Sequence, residues 1–284
     1  MSLPSILLMF AVSMFPFISG LVYSLQDYSL MRPRQRNWVW LQNFSNLATS
    51  DREFRGVLTY TFLYAGLVVL VSYVLGMLLA LLLNRDIRFR GLFRALALVP
   101  WLIPPAIASV SWSWILNDQF GYINVVLTRV GLIKQPILFL ALPHIARITV
   151  ILTSAWKSYP FMMIVLLAGM QTIPNELYEV ASIDGAGFLR SFWHITLPML
   201  RSVTVLSIVL MFIWTFNNFE NIYLLTRGGP AESTFVLAIL SYYTAFYRYK
   251  ISYACAISTL MLFVLLGLVF LYMRASRLIK PEDL

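Results

Sequence analysis

Cysteine is almost absent from this sequence. Cys255 is the only one and sits in an apolar run, which excludes a disulfide framework and a cysteine-based metal site. Histidine is nearly as scarce. His144 and His194 are far apart and lack ligand spacing, so no metal site is expected, and each reads as a helix-end or interfacial residue. Charge is the third shortage: 12% of the 284 residues are Asp, Glu, Lys or Arg, against about 25% in an average soluble chain. Glu220 is the only acid inside the long apolar stretches, which speaks against a self-contained transporter driven by H⁺ or Na⁺. No catalytic constellation is present either, which argues against a membrane enzyme.

What is abundant is apolar surface. Hydrophobic residues make up 60% of the chain, more than a soluble domain of this length can hide. The apolar runs are long and continuous, not alternating, so helical spans of about 20 residues are expected instead of barrel strands. A net charge of +9 does not imply nucleic acid, because the bases lie in short loops between apolar runs, where they meet headgroups and water.

Six runs stand out, at residues 3–25, 58–83, 92–116, 148–170, 199–225 and 253–273. The first lacks a basic leading segment and is long enough to span, so it reads as a retained helix, not a cleaved signal. Pro100, Pro104 and Pro105 punctuate the third run, and Pro160 interrupts the fourth. Such prolines mark either hinges whose freed carbonyls line a cavity or ordinary packing kinks.

The connecting segments differ in character. Residues 26–57 are long, aromatic and basic; 84–91 are tight and basic, with Arg85, Arg88 and Arg90. An apolar patch at 137–142 predicts a partial helix, and 226–252 carry a Gly-Gly-Pro turn followed by aromatics. Trp38, Trp40, Tyr242, Tyr243 and Tyr247 suit either interfacial anchoring or docking of an external protein. Lys and Arg divide nine against ten between the two sides, so counting does not orient the chain. The dense 85–94 cluster and the tail with Arg274, Arg277 and Lys280 favour their side as cytoplasmic.

The segment from Glu179 to Pro198 is a polar interruption in the apolar second half. Asn175 is suited to cap a helix that has Glu176 and Glu179 in its first turns. Asp184-Gly185 and Gly187 break that helix. A second short helix should place Phe188, Phe192 and Ile195 on one face, with Pro198 at the first position of the fifth span. From the residues alone this hairpin is a surface-lying connector or a docking element.

The pattern Glu179-x-Ala181-x-x-Asp184-Gly185-Ala186, followed by Phe192, Ile195, Leu197 and Pro198, resembles the EAA loop of ABC importer permeases. Val180 departs from it, standing where a second alanine is usual. The resemblance extends over nearly the whole chain. Residues 93–117 and 120–133 are similar to the family's third core span and the segment after it; 155–187 and 216–234 look most like the maltose-type sugar permeases. Relatives usually carry a basic cytoplasmic stretch ahead of the first span, whereas this sequence starts almost inside it, so a shortened N-terminus is expected.

The resemblance implies an all-α membrane protein with six transmembrane helices and a type I importer permease fold. It implies one permease domain over 1–284, with its core at 58–273 and a cytoplasmic coupling loop at 171–198 between the fourth and fifth spans. The implied partners are a second, related permease subunit, two ATPase subunits and an extracytoplasmic sugar-binding protein, all at the bacterial cytoplasmic membrane. The chain has no G-x-x-x-x-G-K-[ST] phosphate loop, so ATP and Mg²⁺ belong to the ATPase partner and this chain is not itself an enzyme. Coupling falls to Glu179, Ala181, Asp184, Gly185, Ala186, Phe188, Phe192 and Pro198, with Glu179 facing a basic residue and Phe188 or Phe192 as apolar anchor.

By the same motif match, the sugar-site residues are Ser154, Lys157, Ser158, Phe161, Met211, Trp214, Thr215 and Asn218, with Asn217 close by. A ring stacked on Trp214 or Phe161 and hydroxyls bonded to Ser and Thr suit a sugar. Met211, Thr215 and Ser154 replace polar or amide groups of the maltose-type pattern, which points away from maltose. Lys157 allows an alternative, an anionic sugar carrying a uronate, sulfonate or phosphate; otherwise it pairs with an acid or snorkels.

Overall fold

The computed structural model describes residues 3–278. Its elements in chain order begin with α1 (Leu3–Ser24), β1 (Gln26–Asp27), β2 (Asn37–Trp38), α2 (Gln42–Thr49) and α3 (Arg52–Leu83). Then follow α4 (Arg90–Leu102), α5 (Pro105–Ile115), α6 (Tyr122–Arg129), α7 (Pro143–Met170) and α8 (Asn175–Ile183). A wound segment, α9 (Phe188–Met199), precedes α10 (Arg201–Phe216), α11 (Glu220–Thr226), α12 (Leu237–Phe246) and α13 (Ile251–Leu278). The only strands among the described residues form a two-residue antiparallel ribbon, with Gln26 opposite Trp38. Lys280 of the basic tail lies outside the described residues.

Three helices, α3, α7 and α13, are long and apolar enough to cross a bilayer. Two bent pairs raise that to five if each pair is one span. Helices suit this environment because every interior backbone group is satisfied within the segment.

The third run is not a straight span. Pro104 and Pro105 have no N–H to return to the preceding turn, and a residue before proline is pushed to extended geometry. Ile103 accordingly has ψ 128° and Pro104 ψ 140°, and α4 and α5 meet at a bend of 93°. Pro160, by contrast, is buried inside α7, which runs through it without a break.

The fifth run departs from expectation in two places. It breaks at residues 217–219, between α10 and α11. Its start also differs: Pro198 does not open the span but lies inside α9, which meets α10 at 67°. Without an N–H, Pro198 cannot bond the His194 carbonyl. The turn widens instead into a π segment, Phe192–Thr196, in which the Leu197 N–H reaches the Phe192 carbonyl.

Two local expectations are corrected. Residues 137–142 form no helix. The buried Asn124 side chain donates to the Ile137 carbonyl at 3.0 Å and accepts the Ile137 N–H at 2.9 Å, holding that strip in a non-helical path. Asn175 does not cap α8; Pro174 occupies the cap position in extended geometry, and no side chain caps the helix.

The chain divides into two compact units. The first holds the described residues through Phe62 together with Phe235–Leu271. Asp51 anchors it, accepting the Phe54 N–H at 2.8 Å and the Tyr253 hydroxyl at 2.7 Å, while Arg248 grips Glu53 in a two-pronged pair at 2.6 and 2.7 Å. Trp38, Trp40 and Tyr247 are exposed there, whereas Tyr242 and Tyr243 are half-buried.

The second unit holds Leu63–Thr234 and the helix end from Tyr272. Its core joins Val69, Met77, Ala80 and Leu83 of α3 to Met162, Met163, Leu166 and Met170 of α7, with Leu200 and Met211. The methionines fill irregular gaps between helices without branching constraints. α3 and α7 touch backbone to backbone at Gly76, where a Cβ would lie 2.6 Å from Met162 Cβ and 2.8 Å from the Met163 nitrogen.

Candidate substrate cavity and coupling loop

A cavity of about 210 Å³ opens in the second unit, walled by α4, α5, α7, α10, the break that follows α10, and α11. Of the residues named by the motif match, Lys157, Ser158, Phe161, Met211, Trp214, Thr215 and Asn218 line it. Ser154 does not; it is buried one layer behind. Trp101, Pro105, Glu220 and Asn221 complete the lining and were not foreseen. Asn221 had a legible signal in its i+3 spacing from Asn218. Trp101 had only its place beside the proline break.

The helices set the chemistry of this wall. Lys157, Ser158 and Phe161 follow one another on α7 at i, i+1 and i+4; Met211, Trp214 and Thr215 do so on α10 at i, i+3 and i+4, each set sharing a face. Phe161 meets Trp214 edge to face at 4.9 Å, and the Trp101 ring lies 6.4 Å from Phe161. Three aromatic rings thus bound a space that hydroxyl and amide groups face from α7, α10 and the break.

The Lys157 ammonium donates to the Ile103 carbonyl at 2.6 Å. That carbonyl sits at the proline break, which ends the helical ladder at α4. A cation thereby satisfies a backbone acceptor that the prolines set free. Replacing Lys157 with Met should leave the carbonyl unpaired, at a cost of about 1–3 kcal/mol. A lower thermal midpoint of the detergent-solubilised protein than that of wild type is the expected result.

Behind the wall lies a polar layer. Tyr64 of α3 donates to Ser154 Oγ at 2.9 Å, and Asn221 Nδ2 donates to the same oxygen at 2.6 Å. Asn218 Nδ2 donates to the Tyr64 hydroxyl at 3.2 Å, and Ser109 of α5 reaches Asn221 Oδ1 at 3.4 Å. Asn217 Nδ2 donates to the Ile213 carbonyl at 2.9 Å. Polar groups costly in an apolar setting are therefore paired.

The hairpin forms as two helical pieces around Gly185, which has φ +75°. The Ala186 N–H reaches the Ala181 carbonyl at 2.8 Å and the Gly185 N–H the Ser182 carbonyl at 3.0 Å, a glycine stop that closes α8 at Asp184. A groove of about 640 Å³ runs along it, lined by Glu179, Ala186, Phe188 and Phe192 among others. Asp184 and Pro198 are exposed, and Ala181 is half-buried.

The predicted Phe188, Phe192, Ile195 face divides. Phe192 and Ile195 pack on the core of their own unit, with Phe192 half-buried and also lining the groove. Phe188 stays exposed with the Arg85 guanidinium 5.0 Å from its ring centre. The largest outward apolar surface comes from residues the motif did not single out: Ile183, 85% exposed, with Leu189 and Trp193.

A helical membrane fold with a glycine-broken polar hairpin and a mid-helix cavity defines a class of membrane permeases. The chain belongs to the family described as binding-protein-dependent transport system inner membrane component, whose model matches residues 72–281. It is a multi-pass permease component with the type I ABC importer permease fold, not an enzyme. The trehalose/maltose transport system permease protein MalF of Thermococcus litoralis is 34% identical over 244 residues, 86% of this chain and 81% of that protein. The sulfoquinovosyl glycerol transport system permease protein SmoG of Agrobacterium fabrum is 30% identical, over 96% of this chain and 88% of its own length. A solved bacterial ABC transporter involved in the import of the acidic polysaccharide alginate aligns with a TM-score of 0.81 and 26% identity, covering 98% of this chain and 94% of that one.

Proposed function

We propose that this chain is a translocation subunit of an ATP-driven sugar importer, receiving its sugar from an extracytoplasmic binding protein. The observation that carries the reading is the cavity: three aromatic rings beside serine, threonine and asparagine, a surface suited to stacking a pyranose and bonding its hydroxyls. The relatives' names point to saccharide transport as well.

In this reading the hairpin faces the cytoplasm and docks on an ATPase partner that binds ATP and Mg²⁺. Glu179 meets a basic residue there, and Ile183, Leu189 and Phe188 supply apolar contact. Closure of two ATPase subunits drives two hairpins together, and rigid-body rocking against a second permease opens the cavity outward. The chain acts as one permease domain in a bacterial inner membrane.

A neutral sugar is favoured over an anionic one, because Glu220 lines the same cavity and offsets the Lys157 charge, while one of the three ammonium donors is held by the Ile103 carbonyl. Replacing Trp214 with Ala should raise the apparent KM for uptake roughly tenfold or more, the loss of a stacked ring being about 1.4 kcal/mol or more, with Trp214→Phe intermediate. The test of the function is co-purification with an ATPase chain, followed by ATPase assays of the reconstituted complex with maltose, trehalose, lactose and sucrose presented on the binding protein. Stimulation by at least one sugar supports the reading; a complex without an ATPase chain sinks it.

A further inference from the structure

Tyr64 has no counterpart in the motif reading, yet it sits at the centre of the polar layer. It is fully buried, with 0% exposure, and touches the cavity only through other side chains. Its hydroxyl has one proton, given to Ser154 Oγ at 2.9 Å, so toward Asn218 it can only accept. That fixes an otherwise ambiguous group. The two ends of an asparagine amide are alike in shape, and hydrogen-bond partners decide which end points where. Here the NH₂ of Asn218 must face Tyr64, and its Oδ1 takes the Asn221 N–H at 3.3 Å. Ser154 Oγ accepts from Tyr64 and from Asn221 Nδ2, so the amide of Asn221 joins the same network. Both amides line the cavity.

We propose that Tyr64 is a positioning residue for sugar selectivity: its hydroxyl fixes the donor and acceptor pattern that Asn218 and Asn221 turn toward the ligand. The inference rests on the sugar-translocation reading above. Sites that present fixed donors and acceptors discriminate between hydroxyl patterns far better than apolar walls do. An amide free to flip presents either pattern and discriminates less. Tyr64 is on α3, none of whose described residues lines the cavity, so selectivity is set in part from behind the site.

The test uses the whole transporter in proteoliposomes, with the same binding protein in every arm, so that any change in selectivity belongs to the permease. Uptake of maltose, trehalose, lactose and sucrose is compared between wild type and Tyr64→Phe, which keeps the ring and removes only the oxygen. The expected result is a change in relative uptake across the panel of roughly five- to tenfold, about one hydrogen bond. Ser154→Ala should shift the panel in the same direction, because without that acceptor the Tyr64 proton turns to Asn218 and the amide reverses. This variant carries the test if Tyr64→Phe does not accumulate. Adding Tyr64→Phe to Asn218→Ala should shift the panel further by less than half as much as on wild type. Equal loss for every sugar, or full additivity with Asn218→Ala, overturns the inference and leaves the transport function standing. Wild-type uptake of none of the four overturns both.

Discussion

Replacing Gly185 with valine is expected to separate transport from the engine that drives it. Gly185 holds φ +75°, and nothing lies within 4 Å of where a Cβ would go. The cost is therefore backbone strain alone, about 1–2 kcal/mol for an ordinary side chain and more for a branched one. The glycine stop is what turns the chain at the tip: the Ala186 N–H to the Ala181 carbonyl and the Gly185 N–H to the Ser182 carbonyl exist only in that conformation. If valine pushes φ negative, α8 loses its stop and the angle to α9 changes. Glu179, Ile183 and Leu189 then no longer present one surface. The spans do not depend on this turn, so the variant should still reach the membrane. Co-purification of the ATPase chain should fall at least tenfold, and uptake with it. Unchanged assembly and transport would remove the coupling role from the hairpin.

The second large effect is one of stability. Gly76→Val should prevent accumulation of a folded permease. A Cβ there meets Met162 Cβ at 2.6 Å and the Met163 nitrogen at 2.8 Å, and backbone cannot swing aside as a side-chain tip does. α3 and α7 would have to part along the seam that carries Val69, Met77, Met162 and Met163. Overpacking costs about 1–3 kcal/mol where side chains can yield, and more where two backbones touch, as at small-residue seams between membrane helices. The readout is the monodisperse peak in size-exclusion chromatography of a detergent extract. A normal peak of unchanged thermal midpoint would show that the seam is looser than these distances imply.

Much of this was legible before any coordinates. The apolar runs located the helices because length and continuity are local properties. The motif-matched positions on α7 and α10 converge on one cavity because helical spacing fixes a face. What escaped was set at long range. Pro104-Pro105 announced a break, but its 93° bend depends on what α4 and α5 pack against. Lys157 finds its partner at a backbone carbonyl 54 residues away, which no side-chain pattern encodes. Phe192 belongs by spacing to an outward face, yet it is drawn onto the core. The strip at 137–142 is apolar enough for a helix, and one buried asparagine overrides it.

The π turn at Phe192–Thr196 has a consequence for sequence change in this region. A π turn takes in one residue more than an α turn, so everything downstream is rotated by about 100° from where a regular helix would put it. The hairpin's outward surface and the seat of Leu200 against Gly169 are in phase only because of that extra residue. A single deletion between 192 and 196 would remove that extra residue and swing Leu200 off its seat. A conservative replacement in the same five positions would leave the phase intact. Length, more than identity, is what this stretch must keep.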